Sequence, residues 1–126
     1  MVYAILFRKG LAITFHGEGM DHNGRVVWTL AEINTRMLLI IGMYAPSKGD
    51  NPQFFKEDVF PILEQVDFDH VVIGGDFNLG MDRDLDYYGY TDNAHPRPKS
   101  LQELLKNIEH YELLDIYREL HPSGSE

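Results

Sequence analysis

Between Met37 and Phe77 two apolar runs bracket a segment of helical periodicity, and that arrangement limits the fold more than any other feature. The first run, "MLLIIGMY" (37–44), is apolar nearly throughout, as expected of a strand covered on both faces. The segment after it carries Phe55, Val59, Ile62, Leu63 and Val66 at helical spacing. Asn51 offers an N-cap and Pro52 a first helical residue. Pro61 inside the segment predicts a kink or a division. The second run, "HVVIGGDF" (70–77), reads as another strand. Strand, helix and strand at this spacing make a βαβ unit, with parallel, adjacent strands and a right-handed crossover. Ligands in such sheets gather at the carboxyl ends of the strands. "MYAPS" and "GGDFN" occupy those ends. Tyr44, Asp76 and Asn78 should therefore share one crevice, with Asp76 and Asn78 projecting together and Phe77 turned into the core.

Upstream, "VYAILF" (2–7) and "LAITF" (11–15) read as short strands around Arg8-Lys9-Gly10. "HGEGMDHNGR" (16–25) is rich in turn formers, and Asn23-Gly24 is its strongest signal. "VVWTLAEI" (26–33) is a strand joined to 37–44 as a hairpin through Asn34-Thr35-Arg36. Downstream, residues 79–99 read as a long irregular loop. "SLQELLKNIEHYELL" then opens with a capping box of Ser100 and Glu103, and Leu101, Leu104, Leu105 and Ile108 share a face. "DIYRELHP" ends the helical region. The order β–β–β–β–α–β–α is that of an α/β or α+β protein.

A length of 126 residues implies one domain. No apolar stretch approaches the ~18 residues of a membrane span. The charges near the start follow the apolar run, the reverse of a signal peptide. The absence of cysteine excludes disulfides, thiolate metal sites and a cysteine nucleophile. The net charge of −9 argues against an autonomous nucleic-acid binder, which is usually basic. An acidic nuclease can still meet phosphate through a metal ion.

The chemistry concentrates in "GGDFN". Gly74 and Gly75 remove side chains where the strand meets the crevice. Asp76 can orient a water, accept its proton or bind a hard cation. Asn78 can donate to a phosphate oxygen or offer its carbonyl to a metal. Tyr44 can donate its hydroxyl to a phosphate. Such a set suits phosphodiester cleavage, where donors hold charge developing on phosphorus oxygens. The same residues also suit an ordinary turn in which Asp and Asn cap backbone amides, and the physics alone leaves these readings even. "DRDLDYYGYTDN" (82–93) has the acid spacing of a calcium loop, but Tyr87 and Asn93 stand where glycine and glutamate are needed. It reads as a solvated acidic loop. The histidines show no zinc spacing.

"NGRVV", "MYAPS" and "GGDFN", together with "PQFFKEDVFPIL", Asp86 in "DRDLDYYG" and "LLDIYRELHP", follow one another in an order that resembles the endonuclease/exonuclease/phosphatase superfamily. The likeness is closest to the endonuclease domain of LINE-type retrotransposons. It implies a four-layer α/β sandwich of the deoxyribonuclease-I-like type, present over 1–126 as an incomplete middle portion. It implies Mg²⁺-dependent hydrolysis of DNA phosphodiester bonds, with Mn²⁺ as a substitute, DNA as partner, no membrane and a nuclear location. By the resemblance Asp76 orients the attacking water, Asn78 supports that acid and the phosphate, and Tyr44 contacts the phosphate. Asp76 and Asn78 are also the candidate metal ligands. Arg25, Asp86 and Arg118 are structural or phosphate-supporting.

The superfamily's metal-binding glutamate lies on an earlier strand, and its Ser-Asp-His motif lies later. Neither has a counterpart here, since Glu18, His110 and His121 stand in other elements. The chain alone is accordingly expected to be inactive. It is also expected to leave one sheet face bare, inviting self-association or a partner. The alternatives are a non-catalytic binding module and a phosphatase of the same superfamily.

Overall fold

A computed structural model of the chain describes residues 4–79 and 98–122. Among them, β1 (Thr14–Met20), β2 (Val26–Ile33), β3 (Arg36–Tyr44) and β4 (His70–Asp76) form one sheet in that order. β1–β2 and β2–β3 are antiparallel, while β3–β4 is parallel. The parallel, adjacent pairing expected of the βαβ unit is present. With helices packed on the sheet, the architecture is a mixed α/β one.

The hairpin between β2 and β3 is tighter than its sequence implies. Arg36 already pairs with Ile33, so only Asn34 and Thr35 form the link. Both lie in the left-handed region, at φ 50° and 65°. Such a two-residue turn matches the twist of its strands and favours Asn-Gly. A β-branched residue is strained there, at a cost of about 1–2 kcal/mol. Glycine would relieve that strain but lose about 0.5–1 kcal/mol to chain entropy. Thr35→Gly is therefore expected to raise the unfolding free energy by about 0.5–1 kcal/mol, read as a higher urea midpoint at constant slope.

Side chains alternate along each strand, so register assigns the faces. Val26, Trp28 and Leu30 lie opposite Met43, Ile41 and Leu39, and Leu39 and Ile41 lie beside Val71 and Ile73. This face meets Phe54, Phe55, Val59, Phe60, Ile62, Leu63 and Leu104 in one apolar cluster. The helical segment is split, as Pro61 requires. Residues Phe54–Val59 form a π-helical turn, and α1 (Pro61–Gln65) follows. Phe60 N donates to Phe55 O at 3.0 Å, the five-residue bond of that wider turn. Pro61 has no N–H with which to continue the ladder. Asn51 does not cap with its side chain. Its Nδ2 donates to Lys48 O at 2.9 Å.

α2 (Lys99–His110) buries Leu101 and Leu104, and α3 (Ile116–Leu120) follows. The expected capping box is absent. Glu103 accepts from Asn107 Nδ2 at 2.6 Å instead of turning back to the helix start. The cap comes from Asp50, which accepts from Lys99 N at 2.6 Å, Ser100 N at 2.7 Å and Ser100 Oγ at 2.5 Å. The Ser100 hydroxyl bond leads in holding the Asp50 carboxyl below its ordinary range. A depressed carboxylate contributes stability above its unfolded value, about 3.9. That contribution fades as pH falls through the folded value. Asp50→Ala is expected to lower stability by about 1–2 kcal/mol at neutral pH. The gap to the parent should narrow below pH ~4, as denaturation at two pH values would show.

Tyr111, just past α2, stacks on Phe60 with ring centroids 5.9 Å apart and donates to Glu64 Oε1 at 2.5 Å. Burial, with the neighbouring Glu64 carboxylate, pushes its phenol up to about 12.

Two expectations fail near the amino terminus. Residues 4–7 are not a strand, although Ile5 and Phe7 are half-buried while Leu6 is 89% exposed. Their alternation meets no hydrogen-bonded partner strand among the described residues. Residues 16–20, read as turn, belong to β1. Gly19 serves there to admit the Trp28 ring. A Cβ on Gly19 would overlap that ring, whereas one on Gly17 would meet it at an ordinary contact distance of 3.5 Å. The true turn spans residues 21–25, where Asp21 Oδ1 accepts from Arg25 N at 2.7 Å and Val26 N at 2.9 Å. No helix among the described residues is long and apolar enough to cross a membrane.

Candidate functional site

The carboxyl ends of β3 and β4 run side by side. Gly42 lies beside Gly74, Met43 beside Gly75, and Tyr44 beside Asp76. Paired positions share a face, so Tyr44 and Asp76 stand together on the face away from the helices. Gly42 and Gly74 precede them on that face and leave a floor of bare backbone. A Cβ on Gly74 would meet nothing within 4 Å. Gly75 has φ 137°, a conformation that glycine permits.

β4 ends at Asp76, and a tight turn follows. Asn78 adopts φ 52°, which asparagine tolerates. Its backbone N donates to Asp76 Oδ1 at 2.9 Å. Its side-chain Nδ2 donates to Ala45 O at 2.6 Å, while Ala45 N donates to Asp76 O at 2.8 Å. Asp76 and Asn78 are thus brought together, but by this turn rather than by continued strand alternation. Phe77 is half-buried against the core. Asp76 and Asn78 are exposed, and Tyr44 is half-buried.

Arg25 joins the group from the start of β2. Its backbone O accepts from Tyr44 N at 2.7 Å, and its Nη1 donates to Tyr44 O at 3.2 Å. Its guanidinium carbon lies 5.6 Å from the centre of the Tyr44 ring. Arg118 lies in α3, where its N donates to Asp115 Oδ1 and its guanidinium sits over the Tyr117 ring. Asp86 and the rest of the acidic loop fall outside the described residues. Glu18 is in β1, His110 ends α2, and His121 follows α3, stacked on Tyr117.

The oxygen donors suit a hard cation in kind. Asp76 and Asn78 supply two, and among the described residues no cluster of three or more histidine or acidic side chains could hold a metal. Mg²⁺ commonly takes one or two carboxylates and completes its shell with water and substrate phosphates. Asp76 and Asn78 are of the chemical kind that could contribute oxygen ligands to such an ion.

Two members of the arrangement have no signature in the sequence. The Ala45 carbonyl that holds Asn78 is a backbone group, which any residue supplies. Asp21 was hidden in a run of turn formers. A separate concavity of about 490 Å³ lies between Ile5 and Phe7 on one side and Phe15, Glu18, Val27 and Thr29 on the other. It does not include Tyr44, Asp76 or Asn78. On the sheet face away from the helices, Val72 is 54% exposed.

No family model matches the chain. Over 102 residues, 79% of its length, the chain is 32% identical to the "Transposon TX1 uncharacterized 149 kDa protein" of Xenopus laevis. It spans 7% of the length of that relative. The likeness supports a transposon-derived protein.

Proposed function

We propose that the chain carries the phosphate-binding side of a Mg²⁺-dependent DNA endonuclease site of the LINE retrotransposon type. The observation that carries this reading is the register of Tyr44 with Asp76, locked by the bond from Asn78 to Ala45. An acid, a phenol and an amide then stand together at one pair of glycine-floored strand ends. Asp76 holds a water in line with the phosphorus and takes its proton. The Tyr44 hydroxyl donates to a non-bridging phosphate oxygen. Asn78 fixes Asp76 through its backbone N–H and keeps its amide oxygen for a cation or a donor. A bound Mg²⁺ would supply charge neutralisation at the phosphate. The relative's transposon origin agrees with DNA as the substrate.

Nicking of supercoiled plasmid in Mg²⁺ tests the reading. The chain alone is expected to leave the plasmid intact, because the glutamate and histidine that the resemblance calls for have no counterpart in it. A version of the chain extended with segments that supply that glutamate and that histidine is expected to nick. Failure of the extended version to nick, or nicking that does not depend on Asp76, would count against the reading.

A further inference from the structure

We infer that Arg25 is a positioning residue for Tyr44, an assignment that rests on the phosphate-binding reading of Tyr44. Arg25 meets residue 44 at three points: the Tyr44 N–H, the Tyr44 carbonyl and the face of the Tyr44 ring. Few side chains can do the last two at once. The guanidinium is planar and forked, so it can donate sideways to a carbonyl while lying over an aromatic face. Lysine can offer the charge, but not the fork.

Arg25 is itself held. Its N–H is bound by the Asp21 carboxylate, which also binds Val26 N, so the residue is fixed at the mouth of the β1–β2 turn. The next residue along β3, Ala45, is gripped from the other side by Asp76 O and Asn78 Nδ2. The Tyr44 ring therefore stands between two anchors, one from the β2 start and one from the β4 end. The anchor on Ala45 holds the backbone, and Arg25 lies over the ring. A tyrosine at a strand end otherwise keeps free choice among its staggered rotamers. A guanidinium over one face removes part of that choice, and so aims the hydroxyl. Arg25 thus acts through Tyr44 rather than on the phosphate.

The main-chain bonds of residue 25 survive any side-chain exchange, so variants remove only the guanidinium contacts. The first readout needs no ligand. In a chain carrying ¹³C-labelled tyrosine, the Tyr44 ring resonances, identified by their loss in Tyr44→Phe, should move in Arg25→Met. In Arg25→Lys they should lie nearer the parent. Unchanged Tyr44 resonances in folded Arg25→Met would overturn the inference. Should Arg25→Met fail to fold, Arg25→Lys decides alone: a shift confined to Tyr44 and its contacts supports it, and no shift overturns it.

The second readout is binding of inorganic phosphate, followed by backbone amide resonances in ¹⁵N-labelled chains, which remain visible in every variant. Arg25→Met should weaken it by between about threefold and about tenfold, the range of modest couplings between touching residues. That loss should vanish in a Tyr44→Phe background, where no hydroxyl remains to be aimed. Persistence of the full loss in that background would mean that Arg25 contacts phosphate directly, which also overturns the inference. A parent chain in which phosphate leaves Tyr44 and Asp76 unperturbed would count against the proposed function, while the ligand-free shifts would still judge Arg25.

Discussion

Truncating Phe55 to alanine is expected to lower the unfolding free energy by about 3–5 kcal/mol. Phe55 is 2% exposed and packs edge-on against Phe54 at 5.3 Å, with Phe60 at 6.4 Å. It sits where the π-helical turn meets the sheet. The ring belongs to the apolar cluster that also holds Leu39, Ile41 and Met43 of β3, so its removal leaves a hole in the core. A domain of this kind has about 5–15 kcal/mol in total, so the loss is a large share of its stability. Urea denaturation should show the midpoint fall with little change in slope. A matching truncation of Val72, 54% exposed on the other face, should stay within about 0.5 kcal/mol of the parent. Equal losses at the two positions would refute the assignment of the buried face to the helices.

Asp76→Asn should lower nicking by the version extended with the glutamate and histidine segments by a factor of about 10²–10⁴, the usual worth of a positioned acid or base. The exchange is chosen because it separates chemistry from architecture. Asparagine keeps an oxygen that can accept from Asn78 N–H, so the turn that sets Asn78 is retained. What goes is the charge, and with it the ability to take a proton from water. Asp76→Ala removes the turn's acceptor as well and should lose some stability in addition. Undiminished nicking by Asp76→Asn would exclude the acid role.

The parts of the fold that were legible are those in which chain-local pattern and tertiary need agree. The strands 26–33 and 37–44, the divided helix at Pro61 and the parallel partner at 70–76 all follow from periodicity and from one proline. Tyr44 and Asp76 could be placed side by side because the crossover rule fixes both strand directions. What misled was residue type read without its neighbour. Gly19 looks like a turn former until Trp28 is seen across the strand. Ser100 and Glu103 look like a capping box until Asp50 arrives from 50 positions upstream of Ser100. No window of sequence contains both partners of such a bond. The Arg25–Tyr44 contact escaped for the same reason, although the start of β2 and the end of β3 were each read correctly.

The two-residue turn at Asn34-Thr35 has a consequence for the order in which the crevice is assembled. Closing a short loop costs little chain entropy, and the cost rises with the logarithm of the span. Arg25 and Tyr44 lie 19 positions apart and are delivered to one another as the hairpin zips from that turn. Asn78 reaches Ala45 across 33 positions, and Ser100 reaches Asp50 across 50. Among proteins, contacts of longer span go with slower folding. The phenol and its guanidinium are thus expected to meet early in folding, and the carboxylate and amide to join them afterwards.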